Sequence, residues 1–336
     1  MRAPTILPHP DAEIRVEEIG EGLRRITVEV HDPSLCVLKP SCVTSYPLEL
    51  IATILGIKGP ANLCDEIERD SDPAYVEWPL LNTILGYVDS AEFAGKRILD
   101  FGCGPGSSTV ILARAFPDCD IVGLDMDEAL LSVARARVDY YRAARVRIEA
   151  TPNSECLPAG IGQFDFVIMN GVYEHLLPAE RRVLMPQIWS VVKPGGILFI
   201  NETPNRYFPL EFHTTQLPFI NYLPDRLALF VSRRCSKRVG KNETWKSLLR
   251  RGIRGGTAGE IQQILAGYAS GKPMLLIPRK QGCRDEIDLW FMQPGGKTRS
   301  SVRKALRIAF KVAKLTTGIS LPPCLSLAIR RTDSSP

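Results

Sequence analysis

The stretch ILDFGCGPGSS, residues 98–108, is where this sequence concentrates its capacity for chemistry. A short apolar run enters three glycines at alternate positions, Gly102, Gly104 and Gly106, and a helix-compatible segment, STVILARAF, starts just beyond. Glycine permits a sharp turn and lets a ligand approach bare backbone. Amides at the start of the following helix offer donors to negative charge or to an acceptor oxygen. Asp125 ends a second apolar run, DIVGLD, 23 residues beyond Gly102. A carboxylate so placed can accept hydrogen bonds from both hydroxyls of a ribose. The glycine spacing separates the candidate ligands. A dinucleotide fingerprint reads G-x-G-x-x-G, but Ser107 holds the third glycine's place and the glycine falls one residue early; a P-loop needs a lysine that is absent.

A second group of residues can move protons. Glu174 and His175 follow the fourth apolar run, and His175 can act as a base with Glu174 orienting it. Equally, His175 can pack under the loop while Glu174 caps the next helix. His213 is the other base candidate. Glu202, Arg206 and Glu211 lie in or beyond the loop after the fifth run, and Arg206 suits an anionic acceptor. His9 and His31 read as structural or surface residues. The four histidines never adopt a metal-ligand spacing and no Cys-x-x-Cys pair exists, so no metal site is expected.

These residues need a frame. RILDF (97–101), DIVGLD (120–125), VRIEA (146–150), FDFVIMN (164–170) and ILFIN (197–201) read as strands bounded by turn residues. The segments between them have helical patterns, although Pro186 must bend or restart its helix. Strand–helix alternation calls for a parallel sheet covered on both faces. We divide the chain into a mainly helical N-terminal addition (1–90), a nucleoside-binding core (91–202), an aromatic and basic insertion that covers the acceptor site (203–256), a C-terminal completion of the fold (257–331) and a tail (332–336). The first 30 residues alternate weakly and suggest one or two short strands. Thr257 and Glu260 suggest a capping box. SVRKALRIAFKVAKL (301–315) reads as a basic amphipathic helix, MLLIPRK as a strand and CLSLAIRR as a closing strand.

The pieces ILDFGCGPG, IVGLD, NSECLP, FDFVIMNGVYEHL and VVKPGGILFI, in that order, span about one third of the chain. On them, residues 97–201 resemble the class I S-adenosylmethionine-dependent methyltransferases, especially the branch that includes ubiquinone, menaquinone and small-molecule O-methyltransferases. The resemblance implies an α/β, Rossmann-like seven-stranded sheet with helices on both faces and an antiparallel last strand, CLSLAIRR. It implies S-adenosyl-L-methionine as cofactor. Asp100, Gly102, Gly104 and Gly106 would surround its amino-acid end, Asp125 its ribose and Met126 its adenine. Asn153, with Ser154 beside it, stands where the family often has an adenine-binding Asp. Asn170 and Gly171 would border the methionine portion and the reacting methyl. The small-molecule branch commonly carries a Glu-His pair where Glu174 and His175 stand, and it takes acceptor contacts from the fifth-strand loop, here Glu202, Arg206, Glu211 and Tyr222.

The expected activity is therefore methyl transfer to a small-molecule acceptor, a hydroxyl first and an amine or carbon second. An NAD-dependent oxidoreductase and a noncatalytic methyltransferase-fold binding protein are the competing classes. Residues 1–90 carry 7 basic and 15 acidic side chains, whereas the remainder carries 35 and 22. The basic stretch 226–254 suits peripheral contact with anionic lipid or a phosphorylated substrate, or simple intramolecular pairing. No nucleic-acid module is recognisable, so nucleic acid is not an expected partner. Nine scattered cysteines fit a reducing, cytoplasmic setting. The opening MRAPTILPHPDAEIRVEE has proline and acids where a signal peptide would be apolar. The sequence assigns no oligomeric state.

Overall fold

The computed structural model describes residues 3–32, 35–153, 155–267, 271–292 and 301–332. Four antiparallel strands open the chain: β1 (Thr5–Leu7), β2 (Ala12–Gly20), β3 (Leu23–Val30) and β4 (Ser41–Thr44), hydrogen-bonded in that order. The first 30 residues thus hold three strands where one or two were expected, and β4 completes their sheet. Its inward residues Ala12, Ile14, Val16, Ile26 and Val28 are spaced by two, as a half-buried sheet requires. The expected helices follow as α1 (Leu48–Lys58), α2 (Leu63–Ser71) and α3 (Trp78–Leu85). Ile51, Ile54, Leu63 and Ile67 of α1 and α2 close the same core, which also takes in Val133 of the next domain.

The central sheet begins with β5 (Arg97–Phe101), α4 (Ser107–Ala115), β6 (Asp120–Asp125), α5 (Glu128–Tyr140), β7 (Val146–Ala150), β8 (Phe164–Asn170), α6 (Pro178–Val191) and β9 (Val192–Pro204). The insertion holds the two-residue strands β10 (Leu210–Glu211) and β11 (Leu217–Pro218) and two helices, α7 (Asp225–Cys235) and α8 (Trp245–Arg250). Then come α9 (Ala258–Ala266), β12 (Lys272–Leu275), α10 (Glu286–Met292), α11 (Ser301–Thr317) and β13 (Cys324–Thr332). Seven strands lie in the order β12-β13-β9-β8-β5-β6-β7; β5 to β9 are parallel, and β13 runs antiparallel to both its neighbours.

Alternate side chains sort onto the two faces. Leu99, Val167, Met169, Leu198 and Ile200 meet Leu184, Ile188, Trp189 and Ile261 of α6 and α9. Ile98, Phe166, Ile168, Ile197 and Phe199 meet Leu80, Ile84, Ile111 and Leu112 of α3 and α4. α6 runs as one helix through Pro186. The carbonyl that loses its partner belongs to Arg182 on the exposed side, where water can take its place. Thr257 caps α9 by accepting from the Glu260 amide at 3.0 Å.

One buried cation joins the addition to the sheet. Arg137 of α5 has no exposed surface. Its Nη1 donates to Glu66 Oε1 (2.9 Å), to the Pro105 carbonyl (2.8 Å) and to Ser107 Oγ (2.9 Å). Its Nη2 donates to the Glu66 carbonyl at 2.6 Å and lies 3.4 Å from Asp70 Oδ1. Tyr46 completes the group by donating to Asp70 Oδ2 at 2.5 Å. Removing one member of such a group strands the others without water. R137A is expected to lower unfolding free energy by about 3–5 kcal/mol in urea titrations, and R137M combined with E66Q and D70N to recover most of that loss.

Candidate functional site

The sheet order reverses between β5 and β8, and a crevice opens beyond the carboxyl ends of strands at such a switch point. Here it is a cavity of about 350 Å³, with Gly102, Asp125, Met126, Asn153, Gly171 and His175 in its wall. Residues from four separate stretches of the sequence therefore share one cleft.

All three loop glycines have positive φ: +74° at Gly102, +51° at Gly104 and +85° at Gly106. They need glycine for different reasons. A Cβ on Gly102 would lie 2.5 Å from Val172 Cγ2, and one on Gly106 would lie 2.8 Å from Ala134 Cβ. At Gly104 nothing lies within 4 Å, so its backbone faces open space. Leu124 pins the turn from below, its carbonyl accepting from the Gly102 and Cys103 amides at 2.7 and 2.9 Å.

Asp125 belongs to the same construction. One carboxylate oxygen accepts from the Gly104 amide at 2.9 Å, the other from the Asp127 amide at 3.0 Å. Each oxygen keeps a further lone pair for a hydroxyl donor. Asp100 is set differently. It is buried beneath the turn and accepts from Ser108 and Thr109 hydroxyls at 2.7 and 2.6 Å. It anchors α4 and is absent from the cavity wall. Burial pushes its carboxyl up to about 6, against the pull of the two hydroxyls.

Met126 is largely exposed at the rim. Asn153 turns its side-chain oxygen to the Glu155 amide at 2.8 Å. Ser154 lies outside the described residues. Asn170 keeps a buried Oδ1 with no hydrogen-bond partner. A positive-φ Gly171 follows it, with its amide donating to the Asn201 carbonyl at 2.9 Å.

The fold also gathers what the sequence left 38 residues apart: Glu174, His175 and His213, whose ligating atoms lie within 4.8 Å of one another. His175 Nδ1 is 2.8 Å from the Arg250 carbonyl, so Nδ1 carries the proton and Nε2 the lone pair. That Nε2 stands 3.8 Å from Glu174 Oε1. Glu174 is buried and takes the Thr203 hydroxyl on Oε2 at 3.0 Å. Burial raises its carboxyl, partly offset by His175. The His213 ring centroid is 5.4 Å from that of His175; burial first, then His175's charge, lower its basicity.

The remaining expected acceptor residues separate into different roles. Glu202 sits in a β-bulge, where Asn201 and Glu202 together oppose Ser326, and has φ +57°. Its carboxyl is raised by burial and by Glu174's charge. Glu211 has its carboxylate occupied by the amides of His213, Thr214 and Thr215 and the Thr215 hydroxyl, so it holds the His213 turn. Arg206 is exposed. Tyr222 is also exposed and donates to the Tyr207 carbonyl at 2.6 Å. Arg206, Glu211 and Tyr222 are outside the cavity wall.

Sequence reasoning missed Val172, Thr203, Arg250 and Gly252. Arg250 binds Glu180 with both terminal nitrogens, at 2.6 and 2.5 Å, and lines the cleft. Gly252, at φ +90°, fits between His213 and Glu174, where a Cβ would come within 2.9 Å of the ring. Nothing in the local spelling of LLRRGIRGG distinguishes either residue. Much of the basic stretch is internal bracing: Arg254 is buried and donates to the carbonyls of Ile220, Asn221 and Leu223.

Sheet order, glycine turn and strand-end acid together define a Rossmann-like methyltransferase fold. Residues 98–196 match the family model of a methyltransferase domain. Over 128 residues the chain is 33% identical to a ubiquinone biosynthesis O-methyltransferase of Acinetobacter baylyi, covering 37% of this chain and 52% of that one. Over 112 residues it is 34% identical to a trans-aconitate 2-methyltransferase of Methylobacterium radiotolerans, covering 33% of this chain and 40% of that one. The chain therefore spans about half the length, or less, of these curated relatives. A solved O-methyltransferase family protein from Burkholderia thailandensis aligns with a TM-score of 0.43 and 14% identity, over 80% of this chain and 59% of that one. The insertion and His213 lie outside the matched stretch.

G102A is expected to cost more than about 2 kcal/mol in denaturant titrations, because a strained φ and a clash with the Val172 side chain coincide. V172A added to it should return the part due to the clash. Asp100 gives a pH signature. Its carboxyl is raised in the folded chain, so the group opposes folding increasingly as pH climbs from about 4 to about 6. Across that window the melting temperature of D100N should gain on that of the native chain.

Proposed function

We propose that this chain is an S-adenosylmethionine-dependent methyltransferase acting on a hydroxyl of a small molecule. The observation that carries the reading is the cleft itself, whose wall joins the Asp125 carboxylate, held by the Gly104 amide, to His175, which stands beside the buried Glu174. The residues present suit the cofactor. Gly104 and Gly171 leave room for its methionine portion, and the unpartnered Asn170 Oδ1 can accept from its ammonium. Asp125 would hold the ribose and Met126 and Asn153 the adenine. When bound, the cofactor supplies a methyl group on an electrophilic sulfonium.

The chain's own contribution is placement and proton handling. His175 Nε2 accepts the proton of the acceptor hydroxyl. Glu174, raised by burial, is drawn toward its charged form by the imidazolium that forms 3.8 Å away. His213 stays neutral and positions the acceptor, held by the turn that Glu211 caps. One relative is named for ubiquinone biosynthesis and the other for trans-aconitate, so the shared core supports the donor more than the acceptor.

Calorimetry with S-adenosylmethionine and with NAD tests the donor: binding of the first and not the second is expected, and the reverse would overturn the reading. D125N should weaken the cofactor at least about tenfold while retaining the fold. With labelled methyl and a panel of hydroxylated aromatics, sugars and quinone precursors, H175A should lower turnover about 10²–10⁴-fold. H213A should act mainly on KM. Unchanged turnover in both variants would remove histidine from the mechanism.

A further inference from the structure

α11 is turned inside out. Its 17 residues contain five basic side chains and no acid. The basic side turns toward α10 and is only partly exposed. Arg307 and Lys311 reach Asp288 at 2.6 and 2.8 Å, and Lys314 reaches Glu286 at 2.7 Å. Arg303 donates to the Trp290 carbonyl at 2.6 Å and lies over that indole. These partners all stand on α10, so ion pairs dock the helix, with Phe310 the one buried apolar side chain along it.

The apolar side is left outward. Val302, Ile308, Val312 and Leu315 are 68, 66, 53 and 86% exposed. They share a face with Ala305, Ala309 and the exposed Lys304. A surface helix in a free-standing protein ordinarily has the opposite arrangement, and an apolar strip of this kind marks an interaction surface.

We propose that α11 is a membrane-docking element that lays its outer face into the interfacial layer of an anionic bilayer. Charge selects this occupant. The five cations of α11 outnumber the two acids of α10, Glu286 and Asp288, so packing a second α11 against the first would bring two net-positive helix pairs together. An anionic lipid surface attracts that surplus charge, to which the exposed Lys304 belongs. The larger charge distribution agrees, since the acids concentrate in residues 1–90 and the bases in the remainder. Among the described residues no helix is long and apolar enough to cross a membrane, so the mode is docking in the plane of the surface. The C-terminal end of α11 also borders a second cavity, of about 500 Å³, lined by Leu275, Leu276, Leu325 and Leu327 together with the polar Asn205, Glu286, Lys314 and Ser320. Its apolar part, beside an apolar face, suits an acyl chain. The inference is independent of the methyl acceptor and of the glycine cleft.

Co-sedimentation of the full chain with vesicles tests it. Phosphatidylcholine vesicles containing phosphatidylglycerol should bind the chain, those of phosphatidylcholine alone much less, and added salt should weaken the binding. I308D/L315D should reduce binding about tenfold or more while the melting temperature stays within a few degrees. I308S/L315S serves where the aspartates disturb folding. Absence of binding to anionic vesicles would overturn the proposal, as would equal binding by the variants. A dimer in light scattering that the double substitution dissolves would assign the face to a second copy and overturn it as well.

Discussion

The buried guanidinium of Arg137 is the point on which the architecture turns. A charge without exposed surface persists only where neighbouring anions and carbonyls replace its hydration. Glu66 and Asp70 come from the N-terminal addition, and Pro105 and Ser107 from the glycine turn. The addition thus fixes the turn's back while leaving its front open at Gly104. A group often regarded as ligand-binding in isolation is here one wall of an ion-pair network. This explains why a small sheet and two helices pack on α5 instead of standing apart.

The opposite side of the cleft follows a similar logic with weaker satisfaction. Glu174 and Glu202 are both held above the ordinary carboxylate range, chiefly by burial, and each faces a neighbour that matters to its charge. Such an arrangement is costly to folding and is found where protons move. The insertion keeps it in register. Its aliphatic core of Ile220, Ala228, Val239, Leu248 and Ile253 makes it a folded cap, and Arg250 clamps that cap to α6 through Glu180. The aromatic side chains of the insertion divide between its inside and its surface. Trp245 packs inside, whereas Phe219 and Tyr222 remain outward.

Basic side chains likewise do more than one thing. Those of the 226–254 stretch brace loops through carbonyls, as Arg254 does, whereas those of α11 dock a helix by its polar side. Counting charges could foresee neither use. The direction in which each side chain points depends on the element opposite it, which is far away in sequence.

From the sequence alone, the alternating sheet of the core, the glycine turn and Asp125 were legible, because local period and spacing express them directly. The antiparallel final strand was legible through resemblance. The strands of the N-terminal sheet were only half visible, since β1 and β4, at three and four residues, are too short to display a period. Asp100 matched a motif yet lies beneath the turn, and Glu211 looked like an acceptor contact yet its oxygens serve three amides. Only the tertiary structure joined His213 to Glu174 and His175, seated Gly252 between them and turned the apolar face of α11 outward. The physical reason is the same in each case. Periodicity records a residue's place on its own element, whereas burial, pairing and shifted acidity arise from elements that chain folding brings alongside.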